Sequence, residues 1–407
     1  MTQAIAIPTR RFGEFRVVGP ICAAHFLSHY YMILLAPLFA FVRADYGVSY
    51  TTLALALTAF NVVSATLQTP AGFLVDRVGA RFVLIAGVAV GAVAFTIAGL
   101  VDSFVVFIAM FALAGLGNTV YHPADYSLLS DYTPPDRIGQ IFSFHTFAGI
   151  LGSAVGPVTL LAMQARFGWR GAFVGAGLFG FAVLAWLVLR RPTPADQLIA
   201  KRHADLRANG HGPVDAGWRL LLSTPIILSL CFFILTSVMG GLNSFLVVAL
   251  GALYATPDTL ANVALTGLLL MNALGVLVGG VLASRTDRHA AVAGLGLLFA
   301  GVMTALAGFI GFSTAALVLT TSLSGFFVGI ASPSRDMLVR AATPPGAFGR
   351  VFGFVSSGFN IGATIAPTIY GMLMDHGEPR AVFLVSAACS ILCIATVTFG
   401  FSRRTAR

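Results

Sequence analysis

Seven ionisable side chains lie inside long apolar stretches of the chain: His25, His29, His122, Asp125, His145, Arg335 and Asp336. Placed within a membrane, each costs several kcal/mol and is by default a functional-site candidate. His25 and His29 are four residues apart and so share one helical face; His122 and Asp125, three apart with Pro123 between them, share another. Imidazole titrates near neutral pH, so a cavity set of these histidines with Asp125 is suited to taking up and releasing protons. Asn61, Asn118 and Asn360 add neutral polar groups in the same apolar runs. The competing reading is a set of separate hydrogen bonds between helices. Four histidines and an aspartate could also ligate zinc. No HExxH and no His/Cys set of known spacing is present, however, so neither a metal site nor a cofactor is expected.

The elements that must position these residues are long and apolar. Of the 407 residues, 57% are hydrophobic and 10% charged, with a mean hydropathy of +0.90. A water-soluble domain carries about 25% charged residues, so a normal aqueous surface is excluded. Runs long enough to cross a bilayer as helices fall near 17–42, 50–75, 82–101, 103–130, 139–165, 169–190, 219–250, 258–284, 290–312, 314–341, 348–375 and 379–402. They do not alternate as barrel strands would. The expected fold is therefore an all-α membrane protein with twelve transmembrane helices. The first run is too long for a signal-peptide core and is expected to be retained. Cys22, Cys231, Cys389 and Cys393 all fall in apolar runs and read as small hydrophobes.

With a cytoplasmic N-terminus, the inner segments collect Arg10, Arg11, Arg16, Arg77, Arg81, Arg137, Arg285, Arg288, Arg340, Arg350, Arg403, Arg404 and Arg407. The outer loops keep Arg43, Arg166, Arg170 and Arg380. This asymmetry predicts a cytoplasmic membrane protein with both termini inside. It also accounts for the net charge of +9 without nucleic acid, for which no soluble segment is large enough.

A polar stretch rich in Arg, Asp, Pro and Gly divides the twelve runs into six and six. It suggests an N-terminal bundle over 1–190, a cytoplasmic linker over 191–218 with a short surface helix, and a C-terminal bundle over 219–407. The halves echo one another at an offset of 210: Thr133-Pro134-Pro135 with Thr343-Pro344-Pro345, Pro123 with Pro333, Gly152 with Gly362, Pro157 with Pro367. At an offset of 208, Gly72-Phe-Leu-Val-Asp76-Arg77 matches Gly280-Val-Leu-Ala-Ser284-Arg285. Two pseudo-symmetric six-helix bundles follow, an architecture in which substrate sites lie between repeats.

The stretch Gly72-Phe-Leu-Val-Asp76-Arg77-Val-Gly79-Ala80-Arg81 resembles the loop signature of the major facilitator superfamily, G-x-L-x-D-R-x-G-R-K, with Ala80 where a basic residue is usual. Val120-Tyr-His-Pro-Ala, with the glycine-rich run after it, resembles the fosmidomycin-resistance branch. The resemblance implies alternating access by two bundles rocking about a central site, helices 1 and 4 lining the N-terminal cavity and the Asp76 loop latching the cytoplasmic side. Independently, Asp76 beside Arg77 puts a carboxylate next to a guanidinium at a helix end, and Gly79 permits the tight backbone of so short a loop. Asp131 is a candidate partner for Arg77 or Arg81, and Arg285 occupies the matching place in the second half.

Gly149, Gly152, Gly156 and Pro157 have the spacing of close helix packing and resemble a partial form of the antiporter motif of drug exporters, without the glycine pair after the proline. Phe111 stands where proton-coupled exporters usually carry an arginine, so coupling would fall to Asp125 and the histidines. Subtracting 210 from Arg335 gives Asp125, so opposite charges occupy equivalent positions. They could pair as an inner gate or face a shared cavity, Arg335 attracting an anionic substrate; alternatively Arg335 pairs with adjacent Asp336.

The expected function is secondary transport of a small polar or anionic organic solute with protons, as efflux, by a monomer among membrane lipids. The alternatives are proton-coupled uptake of an organic acid, a membrane-embedded metalloenzyme and a transport-inactive sensor. No enzyme activity is expected.

Overall fold

The computed structural model describes residues 11–190, 217–311 and 313–401. The expected linker helix, Arg10 and the arginines from 403 onward lie outside the described residues. Every regular element described is helical.

In the first half, α1 (Arg11–Met32) and α2 (Phe39–Tyr46) form one broken crossing. They are followed by α3 (Tyr50–Val78), α4 (Ala80–Leu100), α5 (Phe104–Asn118), α6 (Tyr121–Tyr132) and α7 (Ile138–Leu189). In the second half come α8 (Gly217–Leu221), α9 (Thr224–Gly240), α10 (Leu242–Tyr254), α11 (Asp258–Arg285), α12 (His289–Phe309), α13 (Thr314–Ala342), α14 (Phe348–Asp375) and α15 (Pro379–Phe401).

Ten stretches are long and apolar enough to cross a bilayer, among them α1–α2, α5–α6 and α9–α10 taken as continuous crossings. The 52-residue α7 contains two, since Gly168 at φ 70°, ψ 172° turns the chain between the runs expected at 139–165 and 169–190. α14 adds a further crossing of lower hydropathy, because Ser356, Asn360 and Thr364 recur every fourth residue and give it a polar stripe. Counted this way, the described helices match the twelve expected, and the chain is a multi-pass membrane protein.

The chain forms two compact units that follow the halves with one exchange. Unit 1 comprises the first half without 139–144, together with 344–354; unit 2 comprises the second half without 344–354, together with 139–144. The sequence boundaries at 190 and 219 do not anticipate these exchanged segments. They are the first turns of α7 and α14 with the loop before the latter, equivalent at the 210 offset.

Inside unit 1 glycines set the helix spacing. A Cβ on Gly115 would stand 2.9 Å from Cα of Phe60 in α3, and one on Gly117 would stand 2.8 Å from the carbonyl of Gly87 in α4. Such close backbone approach is how helices associate in a medium where apolar burial gives no drive. Unit 2 repeats the device, with Gly279 against Ile330 and Gly329 against Asn272 joining α11 to α13. At the far end of unit 1, Tyr46, Phe104, Phe107, Trp169 and Phe173 form an aromatic cluster. Arg170 covers it, with its guanidinium 4.4 Å from the Trp169 ring and bonded to Asp45 and Asp102 at 2.9 and 2.6 Å.

The two equivalent prolines act differently. Pro123 cannot bond to the carbonyl at 119 and clashes with it. Thr119 also turns its hydroxyl back to the Leu116 carbonyl at 2.7 Å, so the helix breaks there and α6 begins afresh. Pro333 faces Gly329 at that position and lies within an unbroken α13.

Candidate functional site

Four histidines and one aspartate come together inside unit 1. Starting α6 at Tyr121 places His122 and Asp125 in its first turns, while α1 presents His25 and His29 and α7 presents His145. Asp125 and His145 are fully buried, and His25 is 3% exposed; His29 and His122 are partly exposed. His145 Nε2 lies 3.0 Å from Asp125 Oδ2, so a protonated Nε2 donates to the carboxylate. His25 Nδ1 lies 3.5 Å from the same oxygen without the alignment of a hydrogen bond. The His25 ring stacks on His145 with centroids 3.7 Å apart and meets those of His29 and His122 edge-on at 4.8 and 5.1 Å.

The site depends on a missing side chain. Gly149 is one turn beyond His145, and a Cβ there would stand 2.8 Å from His25 Nε2 and 2.8 Å from His29 Nε2. His29 Nδ1 is 3.3 Å from Ser153 Oγ, and the Tyr30 hydroxyl is 3.0 Å from Thr159 Oγ1, so α1 is tied to α7 along the glycine stripe. Gly152 faces Phe26 of α1, and Gly156 faces Ile33 in the turn just after it.

Of the other polar candidates in the spans, Asn118 donates to Ser64 Oγ at 3.4 Å, and Ser64 donates to the Gly115 carbonyl at 3.0 Å, a bond set between α3 and α5. Asn61 is exposed on α3 rather than joined to His29. Asn360 lies on the polar stripe of α14 in unit 2.

Arg335 is in unit 2, where its Nε and Nη2 are each 2.9 Å from Asp336 Oδ1. Its guanidinium also stands 4.5 Å from the Phe233 ring and 5.5 Å from that of Phe359. Asp125 and Arg335 thus each have a bonded partner in their own unit: His145 for one, Asp336 for the other.

The Asp76 loop builds a second polar centre in unit 1. Asp76 Oδ1 accepts from the Gly349 amide at 2.8 Å, and Oδ2 accepts from the Arg350 amide at 3.1 Å and Arg350 Nε at 2.7 Å. A carboxylate at the first amides of α14 meets the positive end of its dipole as well as a guanidinium. Gly72 and Gly349 make room, since a Cβ on Gly72 would stand 2.8 Å from the Arg350 Cα and one on Gly349 would stand 2.6 Å from the Gly72 carbonyl. Gly79, at φ 113°, is the single residue between α3 and α4, a backbone that L side chains rarely adopt. Arg81 donates to the carbonyls of Leu187 and Arg190 at 3.2 and 3.4 Å, completing the end of α7 rather than meeting Asp131. Arg77 is exposed at the last turn of α3, and Asp131 is partly exposed near the end of α6.

Arg285 is exposed at the end of α11, and its neighbour Ser284 supplies the equivalent contact in unit 2: Ser284 Oγ accepts from the Gln140 amide at 2.8 Å. Gln140 and Arg350 are equivalent at the 210 offset, as are Gly139 and Gly349. Sequence reasoning passed over Gly349, Arg350 and Gln140 as binding partners, although this offset could have found them. It had no signal for the stacking of Tyr126 on Phe352, at 4.1 Å between centroids, or for the aromatic rings around Arg335.

Comparisons with known proteins agree with this architecture. The sequence profile described as Major Facilitator Superfamily matches residues 21–257 and 228–407. The fosmidomycin resistance protein of Escherichia coli is 24% identical, covering 97% of this chain and 95% of its own length. A probable sulfoacetate transporter of Cupriavidus necator is 26% identical over 91% of this chain and 90% of its own. A probable L-galactonate transporter of E. coli is 30% identical over 43% of this chain, and the match spans 38% of that relative. Among solved structures, a proton:xylose symporter superposes with a TM-score of 0.75 at 13% identity, covering 95% of each chain. The human organic anion transporter MFSD10 gives 0.72 at 17% identity, over 94% of this chain and 99% of its own. With the profile matched across both halves and the fold shared end to end, the chain belongs to the Major Facilitator Superfamily of transporters.

Proposed function

We propose that the protein is a secondary active transporter that exports a small polar or anionic organic solute by alternating access, in exchange for protons. The observation that carries this reading is the buried meeting of His25, Asp125 and His145, with partly exposed His29 and His122 beside it. Groups that can exchange protons, held inside a membrane bundle and bordered by accessible ones, are what a proton-coupled carrier requires. Arg335, on two aromatic faces, supplies the attraction for an anion, which would take the place of Asp336 on the guanidinium.

The latches at Asp76 and Ser284 support alternating access. Each holds a segment that in sequence belongs to the other repeat, so the bundles 1–190 and 219–407 could separate only by releasing both contacts. The distribution of arginines supports a cytoplasmic membrane location with both termini inside, and a monomer suffices for the cycle.

Similarity along nearly the whole chain to a fosmidomycin resistance protein favours efflux. A second reading, uptake of an organic acid with protons, is favoured by similarity to sulfoacetate and L-galactonate transporters, whose named compounds are organic anions. Thermal stabilisation of the purified protein by phosphonates, organic acids and cationic compounds, measured at two pH values, tests the substrate class. Stabilisation by phosphonates or organic acids is expected, and stabilisation by cationic compounds alone would overturn it. In proteoliposomes, solute movement driven by an imposed pH gradient distinguishes exchange from symport by its direction.

A further inference from the structure

Among the described residues, His25, Asp125 and His145 bring one donor atom each within 4.8 Å of one another, and all three are buried. Two imidazole nitrogens and a carboxylate oxygen suit zinc, cobalt(II) or nickel(II), not magnesium or calcium. Tetrahedral bonds of about 2.0–2.2 Å hold donor atoms roughly 3.3–3.5 Å apart. The spacings to Asp125 Oδ2, 3.0 Å from His145 Nε2 and 3.5 Å from His25 Nδ1, lie close to that range.

Hydrogen bonding leaves the cluster incomplete. His25 Nδ1 points at a carboxylate it does not properly bond, and Asp125 Oδ1 and His145 Nδ1 have no hydrogen-bond partner. Buried polar atoms left this way cost about 1–3 kcal/mol each and call for an explanation. A cation there would bind Oδ2 and His145 Nε2, and would take His25 Nδ1 as well once the two imidazole rings, stacked at 22° to one another, turn apart. His29 and His122, partly exposed with rings 4.8 and 5.1 Å from that of His25, supply an approach and a further donor. Ligating histidines in permanent sites donate their second nitrogen to a partner. His145 Nδ1 has none, which fits an ion that exchanges.

We propose that His25, Asp125 and His145 form an exchangeable binding site for a divalent transition-metal ion of the zinc class. The site departs from the expectation drawn from sequence spacing, because its ligands come from three helices. It goes beyond the transport reading and stands whether or not the carrier uses protons.

The test is titration of the purified full chain, isolated through a tag without histidine, with zinc chloride and cobalt(II) chloride. One equivalent should bind, with the visible absorption of a four-coordinate cobalt(II) centre, and magnesium chloride should not compete. His25→Gln, His145→Gln and Asp125→Asn should each weaken binding at least about tenfold. Replacing the four remaining histidines, His203, His211, His289 and His376, with alanine should leave it unchanged. His25→Gln keeps the site testable if the other two variants misfold, since His25 Nδ1 makes no aligned hydrogen bond. Absence of stoichiometric binding would overturn the proposal, as would binding that survives the three cluster variants but disappears with the outer histidines. Gradient-driven transport that persists in a strong chelator would leave the transport reading intact in either case.

Discussion

Replacing Gly149 with alanine probes the packing of the histidine cluster through one methyl group. The added Cβ would stand 2.8 Å from His25 Nε2, His29 Nε2 and His29 Cδ2. Ordinary contact needs about 3.4 Å or more, so both rings must retreat by roughly 0.6 Å. Both are held in place: His25 is buried and stacked on His145 at 3.7 Å, and His29 is bonded to Ser153 at 3.3 Å. Overpacking of this kind costs about 1–3 kcal/mol. Alanine in place of a helical glycine returns about 1 kcal/mol, leaving a net loss of up to about 2 kcal/mol. In purified protein this should lower the thermal midpoint by a few degrees. Gly251→Ala, whose Cβ would approach nothing nearer than Thr256 O at 3.8 Å, should be neutral or slightly stabilising. A Gly149→Ala protein stabilised as Gly251→Ala is, with no overpacking cost to set against the helix gain, would refute the description of a histidine cluster closed around the absent side chain.

The latches differ in strength, and thermal unfolding of single variants reads the difference. Asp76→Asn leaves the Arg350 guanidinium, 5% exposed, without its carboxylate and should cost about 3 kcal/mol, whereas Ser284→Ala should cost about 1 kcal/mol. Arg170→Ala loses two pairs to Asp45 and Asp102; because both acids are substantially exposed, the change should stay within about 1 kcal/mol by the same measurement. Arg335→Lys keeps the charge but loses the planar contacts to Phe233, Phe359 and Asp336, so stabilisation by organic anions should weaken at least about tenfold, and Arg335→Gln should abolish it.

Most of the architecture is legible in the sequence because the bilayer makes a simple demand: about 20 apolar residues per crossing. Runs such as 82–101 and 290–312 accordingly coincide with α4 and α12. The run 348–375 likewise coincides with α14, although the polar stripe through Asn360 makes it less apolar than a typical crossing. The cluster is partly legible too. Spacing identifies His25 with His29 and His122 with Asp125 as faces, but only the packing of α1, α6 and α7 joins them to His145. Arg350 reads as one more basic residue at a helix end. Nothing local distinguishes it from Arg340 or Arg285, since its role depends on Asp76, 274 positions away in sequence. The guanidinium of Arg335 is taken by its chain neighbour Asp336, a pairing that adjacency in sequence makes available.

The break at Thr119 has a mechanical consequence. α6 is a rod of twelve residues whose hydrogen-bond ladder is not shared with α5, so it can tilt about the joint at 119–120 without tearing a continuous helix. A tilt there would carry Asp125, one turn beyond His122, through the longer arc. The equivalent α13 runs unbroken through Pro333, so Arg335 has no such joint beside it. The two repeats therefore differ at equivalent positions: the first carries its acidic residue just past a gap in the hydrogen-bond ladder, and the second carries its basic residue within a continuous helix.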